Sequence, residues 1–246
     1  TLEYSKIIDK LTDKASSPMG KSLCRNLEPY TDLSRIRMMQ MQTRDALTRL
    51  FQKGSISFGS VKDVRGSLKR LEIGSSLGIS EILAICGLLE NTSRVKAYSR
   101  KDRSDAPSDC LDNMFEDLAP LTPLVTEIRR CILSEEEISD DASPALRQIR
   151  RSMKITNDRI HTQLNDLVNG GARNYLQDSV ITMRNGRYCI PVKSEYKGQV
   201  PGMIHDQSST GATLFIEPMS VVKLNNDIRE LELKEQKEIE VILAGL

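Results

Sequence analysis

The segment HDQSSTG at positions 205–211 contains a histidine, an aspartate and three hydroxyl side chains, which are the residue types of nucleophilic catalysis. In that chemistry a histidine removes the hydroxyl proton, and a carboxylate orients the histidine. Adjacent residues of a strand point to opposite faces, so His205 and Asp206 are not expected to form such a pair. We interpret Asp206 and the three hydroxyl residues as parts of a turn closed by Gly211, and keep a hydrolase that uses His205 as an alternative.

Other signatures of catalysis or metal binding are absent from the sequence. It contains no GxxxxGK[ST] phosphate loop, no GxGxxG and no HExxH. The cysteines are odd in number and never form a CxxC pair, which argues against a disulfide framework and a zinc site. We interpret all five as reduced structural thiols: Cys24, Cys86, Cys110, Cys131 and Cys189. The chain is thus predicted to hold no catalytic residue, no metal and no cofactor.

Positive charge is concentrated in one part of the chain, although the formal net charge is only +1. Positions 144–204 carry ten Lys and Arg against four Asp and Glu, whereas positions 205–246 carry four against eight. A polyanion would therefore meet the first of these segments. Eight side chains are candidate nucleic-acid ligands: Arg147, Arg150, Arg151, Lys154, Arg184, Arg187, Lys193 and Lys197.

The last four of these candidates lie among β signals. Arg184 and Arg187 flank Asn185-Gly186, the pair typical of a two-residue hairpin turn. Lys193 and Lys197 lie at or near a strand end, so all four are expected to gather at one tip. The alternative is that these charges only keep exposed turns soluble. Two aromatic residues, Tyr188 and Tyr196, are able to stack on bases, but half-buried sheet positions are favoured for both.

Two long helices must position this β-module. Ser143-Pro144 is a capping signature, and it predicts a helix over 144–169; a second helix is predicted over 220–246. In both helices the apolar positions step by three and four residues, with Glu235 as the one charged position in the second stripe. Matching stripes predict an antiparallel two-helix arm that carries a small antiparallel sheet. The predicted strands cover 180–183, 188–192, 200–206 and 212–216.

The remainder of the chain is predicted to be helical. Ser17-Pro18 and Thr31-Asp32 are capping signals, and Gly54 ends the helix that follows the second of them. Further predictions are a loop over 55–59, helices over 63–71, 79–98 and 121–133, and a polar segment over 99–107. The predicted fold class is mainly α, with a helical core domain at 1–143 and the arm with its β-module (175–217) at 144–246.

Composition indicates how the chain packs and where the protein is located. Hydrophobic residues make up 39% of the chain and aromatic residues 4%, which favours helix packing through Leu, Ile and Met. No run approaches the roughly 20 apolar residues of a membrane span, and the first residues lack a signal-peptide layout, so a cytoplasmic location is expected. The last predicted helix still continues at Leu246, and we expect the chain to be part of a longer protein.

These residues resemble a known family. The stretch NGRYCIPVKSEYKGQVPGMIHDQSSTGATLFIEPMSVVKLNNDIRELELKE, at 185–235, is similar to the clamp region of the second bacterial MutS paralogue, the type that bears a C-terminal Smr nuclease domain. The resemblance extends to LEYSKIIDKL, KSLCRNLEPYTDL and RLEIGSSLG in the first third, and to ISDDASPALRQIRRSMK before the arm. It implies a lever-and-clamp architecture, in which a helical core continues into two long helices that carry a DNA-contacting β-clamp.

The resemblance also implies what the longer protein does. An ATPase domain, with ATP and Mg²⁺, and an Smr endonuclease domain are expected after this region, so this chain is expected to be non-catalytic. The implied roles are binding of duplex or branched DNA, suppression of recombination, and ribosome rescue. The alternative is a coiled-coil module that forms a homodimer or docks on the ribosome and its RNA. The sequence leaves DNA and ribosome open, because phosphate contacts do not distinguish them.

Overall fold

A computed structural model of the chain describes residues 3–58, 61–99 and 108–246. The polar segment predicted over 99–107 lies outside these residues from position 100 onward, as does the last residue of the loop predicted over 55–59. Backbone contacts divide the chain into two compact units, Thr1–Ser139 with Leu243–Leu246, and Asp140–Ile242. The described residues are mainly helical with small antiparallel sheets, so the predicted fold class is confirmed at that level.

The first unit is built from helices and one short strand pair. Its described elements are α1 (Tyr4–Lys14), α2 (Pro18–Arg25), α3 (Leu33–Lys53), α4 (Arg65–Glu72), α5 (Ile79–Ser99), α6 (Asp112–Glu116), α7 (Thr122–Cys131), β1 (Ile132–Ser134) and β2 (Glu137–Ile138). The predicted caps are confirmed. Oγ of Ser17 accepts a hydrogen bond from the amide of Gly20 at 3.0 Å, and the Asp32 carboxylate accepts one from the amide of Arg35 at 3.0 Å.

The end of α7 differs from the prediction. A helix was predicted to continue to position 133, but α7 ends at Cys131 and the chain turns into the β1–β2 pair. In this pair Ile132 lies opposite Ile138, and both are buried, while Glu135 and Glu136 at the turn are exposed. A strand pair thus buries two β-branched residues and leaves the acidic turn in water, a result that helical periodicity alone does not predict.

A buried arginine joins α3 to the segment before α6. Arg49 is only 7% exposed, and its guanidinium donates to Asp109 at 2.5 and 2.6 Å and to Asp112 at 2.6 Å. The same guanidinium lies 4.7 Å from the ring centre of Phe115. Because a buried cation must be paired to offset its lost hydration, this cluster links two segments that are distant in sequence.

The second unit contains two long helices and a four-stranded sheet. Its elements are α8 (Pro144–Asn169), β3 (Thr182–Arg184), β4 (Arg187–Lys193), β5 (Gly202–Gln207), β6 (Thr213–Pro218) and α9 (Val222–Gly245). Short 3-10 segments lie at Asp140–Ala142, Arg173–Tyr175 and Ser194–Gln199. The sheet is antiparallel, with strand order β3-β4-β6-β5. Each strand begins and ends within about two residues of its predicted position.

Side chains from α8, α9 and the sheet form one apolar core. Ile160 and Leu164 of α8 pack with Ile190 of β4, Ile216 of β6 and Ile228 of α9, and all five are buried. These residues come from the predicted helical stripes and from alternate strand positions, which are the positions that face one side of each element. The core therefore holds the sheet against both helices.

Polar contacts also join α8 to α9 inside this unit. Oγ of Ser143, which caps α8 by accepting from the amide of Leu146, donates to Glu238 at 2.7 Å. Nε of Arg150 donates to Glu235 at 2.7 Å. The later residue of α8 meets the earlier residue of α9, so the two helices run antiparallel at these contacts. The charged position in the α9 stripe is thus explained by an arginine that faces it.

Candidate nucleic-acid interface

The β3–β4 hairpin forms at the predicted turn. Asn185 and Gly186 have φ angles of 51° and 72°, and Arg184 pairs with Arg187 across the turn. Positive φ at both central positions is the requirement of a type I′ turn, whose twist matches that of the strands. The side-chain Nδ2 of Asn185 also donates to the backbone carbonyl of His205 at 3.0 Å, which ties the turn to β5.

A buried carboxylate lies beside this hairpin. Glu217 of β6 has no exposed surface, and its Oε1 accepts from Nη1 of Arg187 at 2.9 Å and from Nδ2 of Asn225 at 2.8 Å. Its Oε2 lies 2.5 Å from Nε2 of His205. The side chain of Asn225 also bonds the backbone of Tyr188. Its Oδ1 accepts from N of Tyr188 at 3.2 Å, and its Nδ2 donates to O of Tyr188 at 3.3 Å. We call Arg187, Glu217, His205 and Asn225 the Glu217 cluster; it joins β4, β5, β6 and α9.

A β-bulge determines where His205 points. Ile204 pairs with Ile216 and Asp206 pairs with Phe215, so His205 is the extra residue of β5. His205 turns to Glu217, while Asp206 lies 3.1 Å from Nε of Arg184. In the described part of the chain the hydroxyl of Ser208 contacts Thr210 and the amide of Thr213, not His205. The described residues therefore do not assemble a nucleophile, base and orienting acid here.

Arg184, the other arginine of the hairpin, is held over an aromatic ring. Its guanidinium carbon lies 4.0 Å from the ring centre of Phe215, and it pairs with Asp206. About a third of its side chain remains exposed, at 37%. Arg187 is more enclosed, at 24%, and its partner is fully buried. Both hairpin arginines therefore have internal partners that a phosphate would have to share or replace.

The four candidate cations of α8 divide into two pairs. Arg150 lies between Asp140 and Glu235, and Arg147 pairs with Asp141. Arg151 and Lys154 are exposed, and no hydrogen bond or ion pair to another described residue is made by either side chain. Positions 151 and 154 lie on one face of the helix, since residues three apart are neighbours there.

The two lysines after β4 do not join the hairpin arginines. Arg187 begins β4 and Lys193 ends it, so about 20 Å of strand separates them at 3.3 Å per residue. Lys197 lies beyond Lys193 in the exposed 3-10 segment. The expectation that all four gather at one tip is wrong. The seven-residue strand β4 places the two pairs at opposite ends, a separation that the signals of a turn and a strand end do not reveal.

The two candidate stacking residues have different surroundings. Tyr188 is half-buried in β4 and packs edge-to-face on His161, with ring centres 5.2 Å apart, as predicted for a sheet residue. Tyr196 is 36% exposed and lies in the 3-10 segment, so its predicted sheet position is wrong. Its ring centre is 5.3 Å from that of Tyr175, and Nζ of Lys193 lies 6.0 Å from it.

The five cysteines are free thiols in the structure. Cys86, Cys131 and Cys189 are buried, and Cys24 and Cys110 are half-buried. Burial raises the pKa of Cys189 to about 11, with a further contribution from the charge of Glu217. A hydrogen bond with Asp45 raises the pKa of Cys110. Residues 3–58, 61–99 and 108–246 contain no group of three or more His, Cys, Asp or Glu side chains placed to hold a metal ion.

The fold and site define a mainly helical protein in which two antiparallel helices carry a four-stranded sheet with a basic hairpin. Its whole length is similar to part of proteins named Endonuclease MutS2. It is 56% identical over 247 residues to the protein of Agathobacter rectalis, 53% over 252 residues to that of Lachnoclostridium phytofermentans and 42% over 246 residues to that of Alkaliphilus oremlandii. The chain spans only 31–32% of these relatives' length.

No protein-family model matches the chain. The similarity to Endonuclease MutS2 proteins nevertheless supports the MutS resemblance along the whole sequence, including the first third. In the described part of the chain no helix is both long and apolar enough to cross a membrane.

Sequence reasoning missed the central residues of the site, Glu217 and Asn225. A signal for the first exists: a glutamate interrupts the apolar strand TLFIEP, and a buried carboxylate requires partners. Asn225 carries no such signal, because an asparagine in the first turn of a helix is an ordinary surface residue. Its role depends on the approach of β4 to α9, which only the folded chain brings about.

Proposed function

We propose that this chain is the non-catalytic lever-and-clamp part of a MutS-like protein and that its second unit binds duplex or branched DNA through phosphate contacts. In this proposal α8 and α9 are the two helices of the arm, and the four-stranded sheet is the clamp. The observation that carries it is the pair of exposed, unpaired cations on α8, Arg151 and Lys154, on the same unit as Lys193, Lys197 and the hairpin arginines.

The eight candidate residues are not equivalent in this proposal. Arg147, Arg150, Arg184 and Arg187 already pair with carboxylates, so a phosphate gains less from them. Exposed cations without a partner release counterions when they bind DNA, and that release supplies most of non-specific affinity. We therefore assign the first phosphate contacts to four residues without a carboxylate partner, of which Lys193 is half-buried and the others are exposed. We call them the free cations: Arg151, Lys154, Lys193 and Lys197.

The longer protein would add the chemistry that this chain lacks. We propose an ATPase domain that uses ATP and Mg²⁺ to move the arm, an endonuclease domain, and a homodimer in the cytoplasm that suppresses recombination. The name of the relatives, Endonuclease MutS2, supports an enzyme as the parent. The geometry of the described residues supports a role in binding nucleic acid rather than in cleaving it.

A titration of DNA binding against salt tests the proposal. Binding of the chain to a branched and to a duplex DNA is measured by fluorescence anisotropy over a series of salt concentrations. Neutralised phosphates give a linear fall of log affinity with log salt, with a slope of about −0.9 for each contact. A slope near zero, or no binding at low salt, would overturn the proposal.

Charge-reversal variants locate the contacts. Glutamate at the four free cations should weaken both DNA complexes and reduce the magnitude of the salt slope by about 1 for each lost contact. Lys10→Glu with Lys14→Glu is the matched control for the double variant Arg151→Glu with Lys154→Glu, because it makes the same change of charge and both lysines are exposed on α1 in the other unit. If the control weakens DNA binding as much as the test variant, net charge rather than this surface is responsible.

A second candidate function, supported by exposed apolar side chains, is a protein-interaction module. Leu23, Phe51 and Ile73 are 74%, 83% and 79% exposed, and α3 buries no apolar residue. Exposed apolar side chains mark interaction sites when they form a contiguous patch. A second copy of the chain or a ribosome would be the partner in this case.

Light scattering and sedimentation separate this candidate from the first. A dimer of the chain that Phe51→Ser dissociates, together with weak and salt-independent DNA binding, would favour the interaction module. A competition between branched DNA and ribosomes for the chain would then identify the preferred ligand. A monomer that binds DNA with a steep salt slope favours the clamp.

A further inference from the structure

We infer that Tyr196, with Tyr175 behind it and three cations around it, is a stacking site for an unpaired nucleotide. This inference rests on the proposed function and deepens it, because it names single-stranded or branched nucleic acid, rather than plain duplex, as the ligand of this end of the sheet. The surface that we call the tyrosine site consists of Tyr175, Tyr196, Lys193, Lys197 and Arg173.

The two rings form a supported platform. Tyr175 is half-buried and packs on the apolar core of the second unit, and its ring centre lies 5.3 Å from that of Tyr196. Tyr196 is 36% exposed. An exposed ring that a core-anchored ring holds in place loses little conformational freedom when it binds, which is the condition for a preorganised contact.

The backbone around Tyr196 departs from the regular 3-10 form. Tyr196 has φ −103° and ψ 16°, a non-helical pair between the two turns of Ser194–Gln199. Because β4 ends at Lys193, Tyr196 lies three residues beyond the ladder of that strand. It follows the end of the sheet and is not one of the alternating residues on its faces.

Positive charge lies next to the platform. Nζ of Lys193 is 6.0 Å from the ring centre of Tyr196, and Lys197 and Arg173 are exposed on the two 3-10 segments that carry the tyrosines. No ion pair to another described residue occupies these three cations. Glu195, also exposed, is the acidic residue between the two lysines. Cations beside an accessible ring are the combination by which proteins hold the backbone and base of single strands.

An unpaired base fits this geometry better than a paired one. In a duplex both faces of each base are covered by the neighbouring pairs, so a protein ring reaches only edges and backbone. In a single strand or at a branch point a base face is open to an aromatic side chain. The cations of the hairpin and of α8, in contrast, contact only phosphates in the proposed complex, and phosphates are present in duplex and single strand alike.

The test compares single-stranded with duplex probes on the full chain. The probes are a labelled oligothymidylate of about 16 nucleotides, an oligouridylate of the same length, and a duplex of the same length. The variants are Tyr196→Ala, Tyr196→Phe and, as a matched control, Tyr4→Ala, which removes a similarly exposed tyrosine (41%) from the first unit. Circular dichroism and thermal unfolding establish that each variant is folded.

We expect Tyr196→Ala to weaken single-strand binding about tenfold, the typical loss of one base-stacking contact, and duplex binding less than about twofold. Tyr196→Phe, which keeps the ring, should restore binding, and Glu195→Gln should strengthen it. The two single-stranded probes show whether DNA or RNA is preferred. If Tyr196→Ala fails to fold, Tyr196→Leu tests the same loss of the ring.

Three outcomes would overturn the inference. If single-strand affinity is unchanged in Tyr196→Ala while the wild-type chain binds duplex with a steep salt slope, the inference fails and the proposed function stands. Equal loss for single strand and duplex assigns Tyr196 a structural role instead. If the wild-type chain binds none of the probes, both the inference and the proposed function fall.

Discussion

Nη1 of Arg187 donates to Oε1 of Glu217 at 2.9 Å, and Glu217 has no exposed surface. A carboxylate that is cut off from water needs hydrogen bonds to both oxygens, and here Arg187, Asn225 and His205 supply them. The arginine that the sequence marks as a phosphate ligand is thus also a structural partner of the sheet. Its removal changes stability as well as charge.

Glu217→Ala should destabilise the second unit by about 3–5 kcal/mol, because the change leaves Arg187 and the Asn225 amide without their buried acceptor. Urea unfolding followed by circular dichroism measures the loss. The double variant with Arg187→Met should recover part of it, since no unpaired cation then remains. An additive double variant, or a loss below about 1 kcal/mol, would contradict the role of Glu217.

Gly202→Ala should destabilise the sheet by about 1–3 kcal/mol through overpacking. A Cβ at Gly202 would overlap the carbonyl of Glu217 and press on the side chain of Ile216 across the β5–β6 pair. Gly198→Ala is the matched control, because a Cβ there meets open space. Thermal unfolding compares the two variants, and equal midpoints would show that β5 shifts to accommodate the methyl group.

Arg49→Met should destabilise the first unit by about 3 kcal/mol at neutral pH, since it removes the buried guanidinium that pairs with Asp109 and Asp112. The hydrogen bonds from Arg49 lower the pKa of Asp109. A carboxyl group whose pKa is lowered in the folded state stabilises the fold at pH values above its unfolded pKa of about 3.9. That stabilisation is lost as the pH falls through the folded pKa.

The wild-type chain should therefore lose more stability than Arg49→Met between about pH 5 and pH 2. The lowered pKa values of Asp63, at about 2, and of Glu81 contribute to acid sensitivity in both proteins, so the difference between the two proteins is the quantity to measure. Urea midpoints at a series of pH values supply it. Parallel pH profiles of the two proteins would mean that the ion pairs of Arg49 with Asp109 and Asp112 do not make stability depend on pH.

Thiol reactivity should separate Cys24 from the three buried cysteines. With a pKa of about 11, Cys189 is about one part in a thousand thiolate at pH 8, and burial also raises the pKa values of Cys86 and Cys131. A colorimetric disulfide reagent should therefore modify half-buried Cys24 first and the buried thiols only in urea. Cys24→Ser should remove the fast phase. Rapid native labelling of Cys189 would show that β4 opens readily.

The elements with local signals were predictable from the sequence. The cap at Ser143, the turn at Asn185-Gly186 and the stripes of α8 and α9 each depend on residues within a few positions of one another. Side-chain capping bonds, φ preference and helical periodicity all act over that range, so a single sequence is enough to predict these elements. The end of α7 was not predictable, since the burial of Ile132 against Ile138 competes with helix continuation.

Composition, capping and periodicity are local properties, so the sequence alone was enough to predict a mainly helical chain with a small antiparallel module and a basic segment. Which cations have a carboxylate partner depends on the folded chain. It paired Arg150 with Glu235 across two helices, buried Glu217 against Arg187, and separated Lys193 from the hairpin by the length of β4. A cation's availability to a phosphate depends on neighbours that are distant in sequence, and the folded chain alone brings those neighbours into contact.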